Sequence, residues 1–138
     1  MLNIHHDLNV VAICVCAAGL WVLGALWYSP MLFGKSWMAL AGMPKAEGKR
    51  PGMLLAMTAS LIGDFVVALI LEHFVIWSGA GTFGWGALIG FISWAGFVGA
   101  TTLPQSMYEQ KPFKLFAMHS GYWILGMTLV GGVLAIWK

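Results

Sequence analysis

Asp64 is the residue on which chemistry would most readily turn. It is the one formal charge between Pro51 and Leu71, and Ser60 precedes it by one helical turn. A carboxyl group deep in an apolar helix is costly and defaults to a functional candidate. It is expected to be protonated or hydrogen-bonded across a helix seam. Two roles fit: a polar tie between helices, or a site that handles a proton or a cation. His119, in Met118-His119-Ser120, is the second candidate. It either donates to a backbone carbonyl or joins Asp64. The two differ by about five residues of depth, or roughly 7 Å, so direct contact requires helix tilt.

A second polar group lies at the opposite end of the helices. His5, His6 and Asp7 precede the first apolar stretch, and Glu72 and His73 lie near the end of the second. Imidazole and carboxylate ligands suit Zn²⁺ or Cu²⁺. His5 and His6 are adjacent, however, and no i, i+4 histidine pair occurs, so interfacial solvation accounts for the same residues. A bis-histidine haem does not fit, because His73 and His119 are separated by about 21 Å along parallel axes. Cys14 and Cys16 point about 200° apart on a helix, which disfavours a disulfide. They read as small core or lipid-facing residues. The sequence holds no nucleophile–base pair, phosphate-binding glycine loop, CxxC pair or HExxH. It indicates no cofactor and no enzymatic activity.

The elements that must hold these residues follow from composition. Of 138 residues, 60% are hydrophobic and 9% charged, against roughly 25% charged in an ordinary soluble domain. So few charges cannot cover the surface of a soluble domain this small. The mean hydropathy of +0.84 points to lipid. A net charge of +2 is too small to suggest a nucleic-acid partner. Charge-free stretches, broken by the turn-rich Ser78-Gly79-Ala80-Gly81-Thr82, predict four helices at roughly 8–28, 53–77, 84–103 and 113–136. The fold is an all-α membrane bundle of two helical hairpins in one domain, 1–138.

Proline and charge set the frame. Pro30 and Pro104 follow the first and third helices, Pro51 and Pro112 precede the second and fourth, and all four fall on one side. Six of the seven basic residues share that side: Lys35, Lys45, Lys49, Arg50, Lys111 and Lys114, leaving Lys138 opposite. The positive-inside rule makes that side cytoplasmic, with both termini outside. The first helix reads as a true span rather than a signal peptide: Met1 to Asp7 has no Lys or Arg, and the apolar stretch is long. Trp27, Tyr28 and Trp37, with Lys35, Lys111 and Lys114, are placed as anchors at the cytoplasmic interface. Trp77, Trp85 and Trp137 fall at the outer one. Trp21, Trp94 and Trp123 lie near mid-membrane, where they pack in a seam, face lipid or line a pocket. Residues 31–41 read as a short amphipathic interfacial helix. Gly86, Gly90, Gly96, Gly99, Gly121 and Gly126 concentrate in the third and fourth helices. Small residues there suggest tight seams, within the bundle or against other subunits.

The stretch Gly24-Ala25-Leu26-Trp27-Tyr28-Ser29-Pro30-Met31-Leu32-Phe33-Gly34-Lys35-Ser36-Trp37 resembles the signature of a family of small bacterial membrane proteins catalogued as a domain of unknown function. Gly90 to Val98, Tyr108 to Phe116 and Gly121-Tyr122 are similar too. Trp123 departs from the family pattern, which leads one to expect histidine there. The resemblance implies four membrane helices and brings no reaction, substrate or cofactor.

Three functions compete. The first is a scaffold, accessory subunit or homo-oligomer in the bacterial inner membrane, in contact with lipid and with other subunits or copies of itself. The second is an oligomeric transporter or channel with Asp64 as its proton- or ion-sensitive group. The third is a metal- or ligand-binding protein using the outer histidines or the mid-membrane tryptophans. Metal analysis and an absorption spectrum of the purified protein bear on the metal reading directly. It requires bound metal, and a colourless, metal-free sample leaves it without support.

Overall fold

The computed structural model describes residues 7–42 and 52–138. They form five helices: α1 (Val10–Trp27), the short α2 (Gly34–Leu40), α3 (Met53–Ser78), α4 (Phe83–Tyr108) and α5 (Phe113–Ile136). All except α2 are long and apolar enough to cross a bilayer. No strand occurs among the described residues. This is the make-up of a multi-pass membrane protein, because a helix satisfies its own backbone in a medium without water.

Local chemistry sets the helix ends. The Asn9 side chain caps α1 by accepting from the Ala12 amide, and Thr82 caps α4 by accepting from the Trp85 amide. Gly79, at φ 69°, takes the left-handed conformation that ends α3. Glu72 accepts from the Asn9 amide, Asn9 donates to the Trp137 carbonyl, and Lys138 donates to the Ala80 carbonyl. These bonds gather the start of α1, the α3–α4 turn and the end of α5 at one end of the bundle.

One boundary differs from the sequence reading. Pro104 does not end the third helix at 103; α4 runs through it to Tyr108. Proline removes one backbone donor, and the ladder before it is already rearranged by a π-helical segment, Trp94–Gly99. Thr101 and Thr102 hydroxyls donate back to the Phe97 and Val98 carbonyls in the same stretch. The helix continues through Pro104, whose missing N–H leaves the Ala100 carbonyl without its usual i+4 donor.

Packing is closest where glycine lets backbones touch. A Cβ on Gly86 would strike the Gly131 carbonyl, and one on Gly90 the Met127 carbonyl. The α4–α5 seam is thus a backbone-to-backbone contact. Gly121 faces the Trp27 ring and Gly126 faces Leu20, so α5 also receives α1 closely. Gly96 and Gly99 do not join a seam: Gly96 borders open space, and Gly99 lies against Trp94 of its own helix. The π turn re-aims that stretch of α4, which an ideal helical spacing does not anticipate.

The core is uneven along the bundle axis. Ile13, Leu20, Leu71, Val75 and Leu134 are fully buried and belong mostly to the end that gathers Asn9 and Trp137. Along α3, every residue from Gly52 to Gly63 is exposed, and Asp64 is the first buried one. That half of α3 stands apart from its neighbours. Gly90→Ala should overpack the α4–α5 seam and cost about 1–3 kcal/mol. Gly96→Ala, in open space on a helix, should be neutral or gain up to about 1 kcal/mol. Unfolding transitions in detergent compare the two, and equal effects contradict this seam.

Candidate functional site

Where α3 stands apart, a cavity of about 510 Å³ opens between α1, α2, α3 and α5. Trp21, Gly24 and Tyr28 form its α1 side, Trp37 its α2 side, Met57, Ser60 and Asp64 its α3 side, and His119, Tyr122 and Trp123 its α5 side. The structure therefore brings Asp64, Ser60 and His119 to one cavity. It does not join Asp64 to His119 by a hydrogen bond.

The turn after α1 builds the first wall. The Ser29 carbonyl accepts from the Leu32 and Gly34 amides, and the Trp27 carbonyl from the Phe33 amide. Gly34 is buried against the Tyr28 and Ser29 backbone, where a Cβ has no room. Only glycine allows this reversal. It returns α2 toward the bundle and sets the Trp37 ring 5.2 Å from that of Tyr28.

Four polar contacts fix the remaining walls. Trp27 Nε1 donates to the Met118 carbonyl at 3.1 Å. The Tyr122 hydroxyl donates to the Leu20 carbonyl at 2.9 Å, and Gly24 leaves room for it. Trp21 Nε1 donates to the Met57 carbonyl at 3.1 Å, across the cavity to the outlying half of α3. The Tyr28 hydroxyl lies 2.5 Å from His119 Nδ1. A phenol keeps its proton at neutral pH, and the Tyr28 hydroxyl has no other acceptor among the described residues, so we assign it as the donor. His119 Nδ1 then accepts, and the ring carries its proton on Nε2.

Asp64 is different. Its side chain is buried, with 5% of the residue exposed. No hydrogen bond or ion pair reaches its carboxyl group from the described residues. Among the described residues, no lysine or arginine lines the cavity. Its carboxyl oxygens open onto the cavity, which is the space left for a partner; the enclosed carboxylate oxygen without a partner among the described residues is Glu72 Oε2, at the other end of α3.

A smaller cleft of about 290 Å³ borders the same stretch of α5. Thr102, Gln105, Ser106, Glu109 and Lys111 line it, and it shares His119 and Trp123 with the larger cavity. Lys111 and Glu109 form an ion pair at 2.5 Å. The bonded Lys111 and Gln105 side chains hold the Glu109 carboxyl below the usual carboxylate range.

The other predicted residues lie elsewhere. Glu72 is buried, while Asp7 is exposed. His73 Nδ1 donates to the Leu69 carbonyl of its own helix. His5 and His6 lie outside the described residues. Among the described residues, no three of His, Cys, Asp and Glu assemble to hold a metal ion. Cys14 is exposed and Cys16 buried, both as free thiols. Lys35 and Lys114 are exposed, as interfacial anchors would be. Trp27 and Tyr28 instead turn their polar atoms inward onto α5, because Met118 and His119 offer acceptors there. Trp37 and Tyr122 were not predicted as cavity walls. The aromatic density of residues 27–37 was the available signal.

A protein family described as "Protein of unknown function (DUF1761)" matches residues 11–135. The chain belongs to the DUF1761 family. No curated protein and no solved structure matches it. Every described wall of the Asp64 cavity falls inside the matched residues. Tyr28→Phe should release His119 Nδ1 and cost about 0.5–1.5 kcal/mol. Nitrogen-15 NMR should find the Nε2–H tautomer of His119 in the wild type and a mixture in the variant. An Nδ1–H ring in the wild type contradicts the assignment.

Proposed function

We propose that this DUF1761 protein is a non-enzymatic membrane protein that takes a small molecule into the cavity between α1, α2, α3 and α5. Asp64 is the polar anchor and the aromatic side chains form the walls. One observation carries the reading: a buried carboxyl group that no described residue satisfies, set in the wall of a cavity of about 510 Å³. That volume lies within the range of roughly 300–1,000 Å³ for ligand sites, which also combine apolar walls with a few placed polar groups. A purely structural Asp64 would need a partner on a neighbouring helix. Transport follows naturally from such a site in a bilayer, with the basic end facing the cytoplasm, both termini outside and a bacterial inner membrane as the location.

A scaffold or accessory role is the second reading. Gly86 and Gly90, which suggested assembly, are occupied by the α4–α5 seam. The surface that still favours assembly is the exposed half of α3, where Ala56 and Ser60 lie four residues apart. It would receive another subunit or a second copy.

The deciding experiment is native mass spectrometry of the protein taken from its own membranes in mild detergent. A bound small molecule should accompany the wild type and be lost from Asp64→Asn and from Trp37→Ala. A ligand-free wild type carrying a stoichiometric protein partner favours the scaffold reading instead. In liposomes, wild-type flux equal to that of Asp64→Asn counts against transport.

A further inference from the structure

We infer that the molecule taken by this cavity is a small organic cation, a quaternary or protonated amine on an apolar body. The inference rests on the reading of the cavity as a ligand site and adds the charge and character of the ligand.

Charge comes first. Among the described residues, the walls hold one carboxyl group and no lysine or arginine. Lys111 lines the neighbouring cleft, where Glu109 pairs with it. His119 receives the Tyr28 hydroxyl on Nδ1, so its ring sits in the wall as a neutral group. An anion would meet only repulsion from an ionised Asp64. An uncharged molecule would leave Asp64 either protonated or without a counter-charge.

Metal ions are a poor alternative. Ca²⁺ takes six to eight oxygen ligands, and Zn²⁺ takes four ligands of nitrogen, sulfur or oxygen. No group of three His, Cys, Asp and Glu among the described residues meets the smaller demand. An organic cation needs no such cage. Its charge is spread over alkyl groups, and it is held by one carboxylate together with aromatic rings.

The walls supply those rings. Trp21, Tyr28, Trp37, Tyr122 and Trp123 all line the cavity. Four of them form a connected group: Trp37 to Tyr28 at 5.2 Å, Tyr28 to Tyr122 at 5.9 Å, and Tyr122 to Trp123 at 4.9 Å between centroids. Apolar packing alone would be served as well by leucine. Rings beside an unpaired carboxyl group are what an alkylammonium prefers over either feature alone. The exposed half of α3 borders the same opening, which gives an apolar body a route from the lipid.

The test is equilibrium dialysis of the detergent-solubilised full chain against two probes of one shape: benzyltrimethylammonium and its uncharged isostere, neopentylbenzene. Wild type should retain the cation at least about tenfold more strongly than the isostere, and Asp64→Asn should remove about tenfold or more of that affinity. Asp64→Asn is isosteric, and a matching unfolding transition confirms its fold. Should it fail to fold, the wild-type comparison of the two probes still decides. Equal retention of both probes by the wild type overturns the cation inference, as does cation binding indifferent to Asp64→Asn. If Trp37→Ala then weakens retention, the cavity remains a ligand site for an uncharged molecule. Retention of neither probe overturns the inference, and the ligand-site reading falls with it if the native protein also carries no bound molecule.

Discussion

The bundle depends on the contact of two backbones. Helices in lipid gain little from hydrophobic burial against one another, so close van der Waals contact must hold them. Gly86 and Gly90 of α4 meet Gly131 and Met127 of α5 with no side chain between them. That pair is the platform. Gly121 and Gly126 then let α5 receive Trp27 and Leu20 of α1. Along α3, Leu71 and Val75 are buried in the core, while Gly52 to Gly63 remain exposed. The cavity follows from this arrangement: α3 packs into the core through Leu71 and Val75, and its other half is tied across the cavity by the Trp21–Met57 bond.

The open end is held by polar contacts in place of glycine seams. Trp27, Tyr28, Trp21 and Tyr122 each carry one polar atom on a large ring, and each finds a partner on another helix. Such bonds contribute roughly 0.5–1.5 kcal/mol apiece, which fixes walls without closing the space between them. The tight turn at Gly34 serves the same end by returning Trp37 to the cavity.

Much of the fold was legible in the sequence because lipid imposes simple rules. Apolar length located all four long helices, and Gly79 marked the turn between α3 and α4. Pro104 misled, since a π turn at Trp94–Gly99 changes what a proline interrupts. The same turn removed Gly96 and Gly99 from the seams, because helical spacing assumes an unbroken ladder. At the site, depth set Asp64 and His119 about five residues apart, so that contact required helix tilt. Rotation about each helix axis did not follow from spacing, so the pairing of Tyr28 with His119 and the role of Tyr122 stayed hidden. Trp37 was read as an anchor because nothing in its spacing shows that Gly34 turns α2 back toward the bundle.

Asp64 also bears on the order in which the chain is made. His119, Tyr122 and Trp123 are synthesised at least 55 residues after it, so α3 enters the bilayer before its α5 walls exist. A central Asp opposes insertion by about 2.5–3.5 kcal/mol, and each central Leu, Ile, Val or Phe favours it by about 0.3–0.6 kcal/mol. α3 carries thirteen such residues, which together contribute about 4–8 kcal/mol at central positions. The helix therefore carries into the membrane an acidic group whose surroundings are completed only when the last helix arrives.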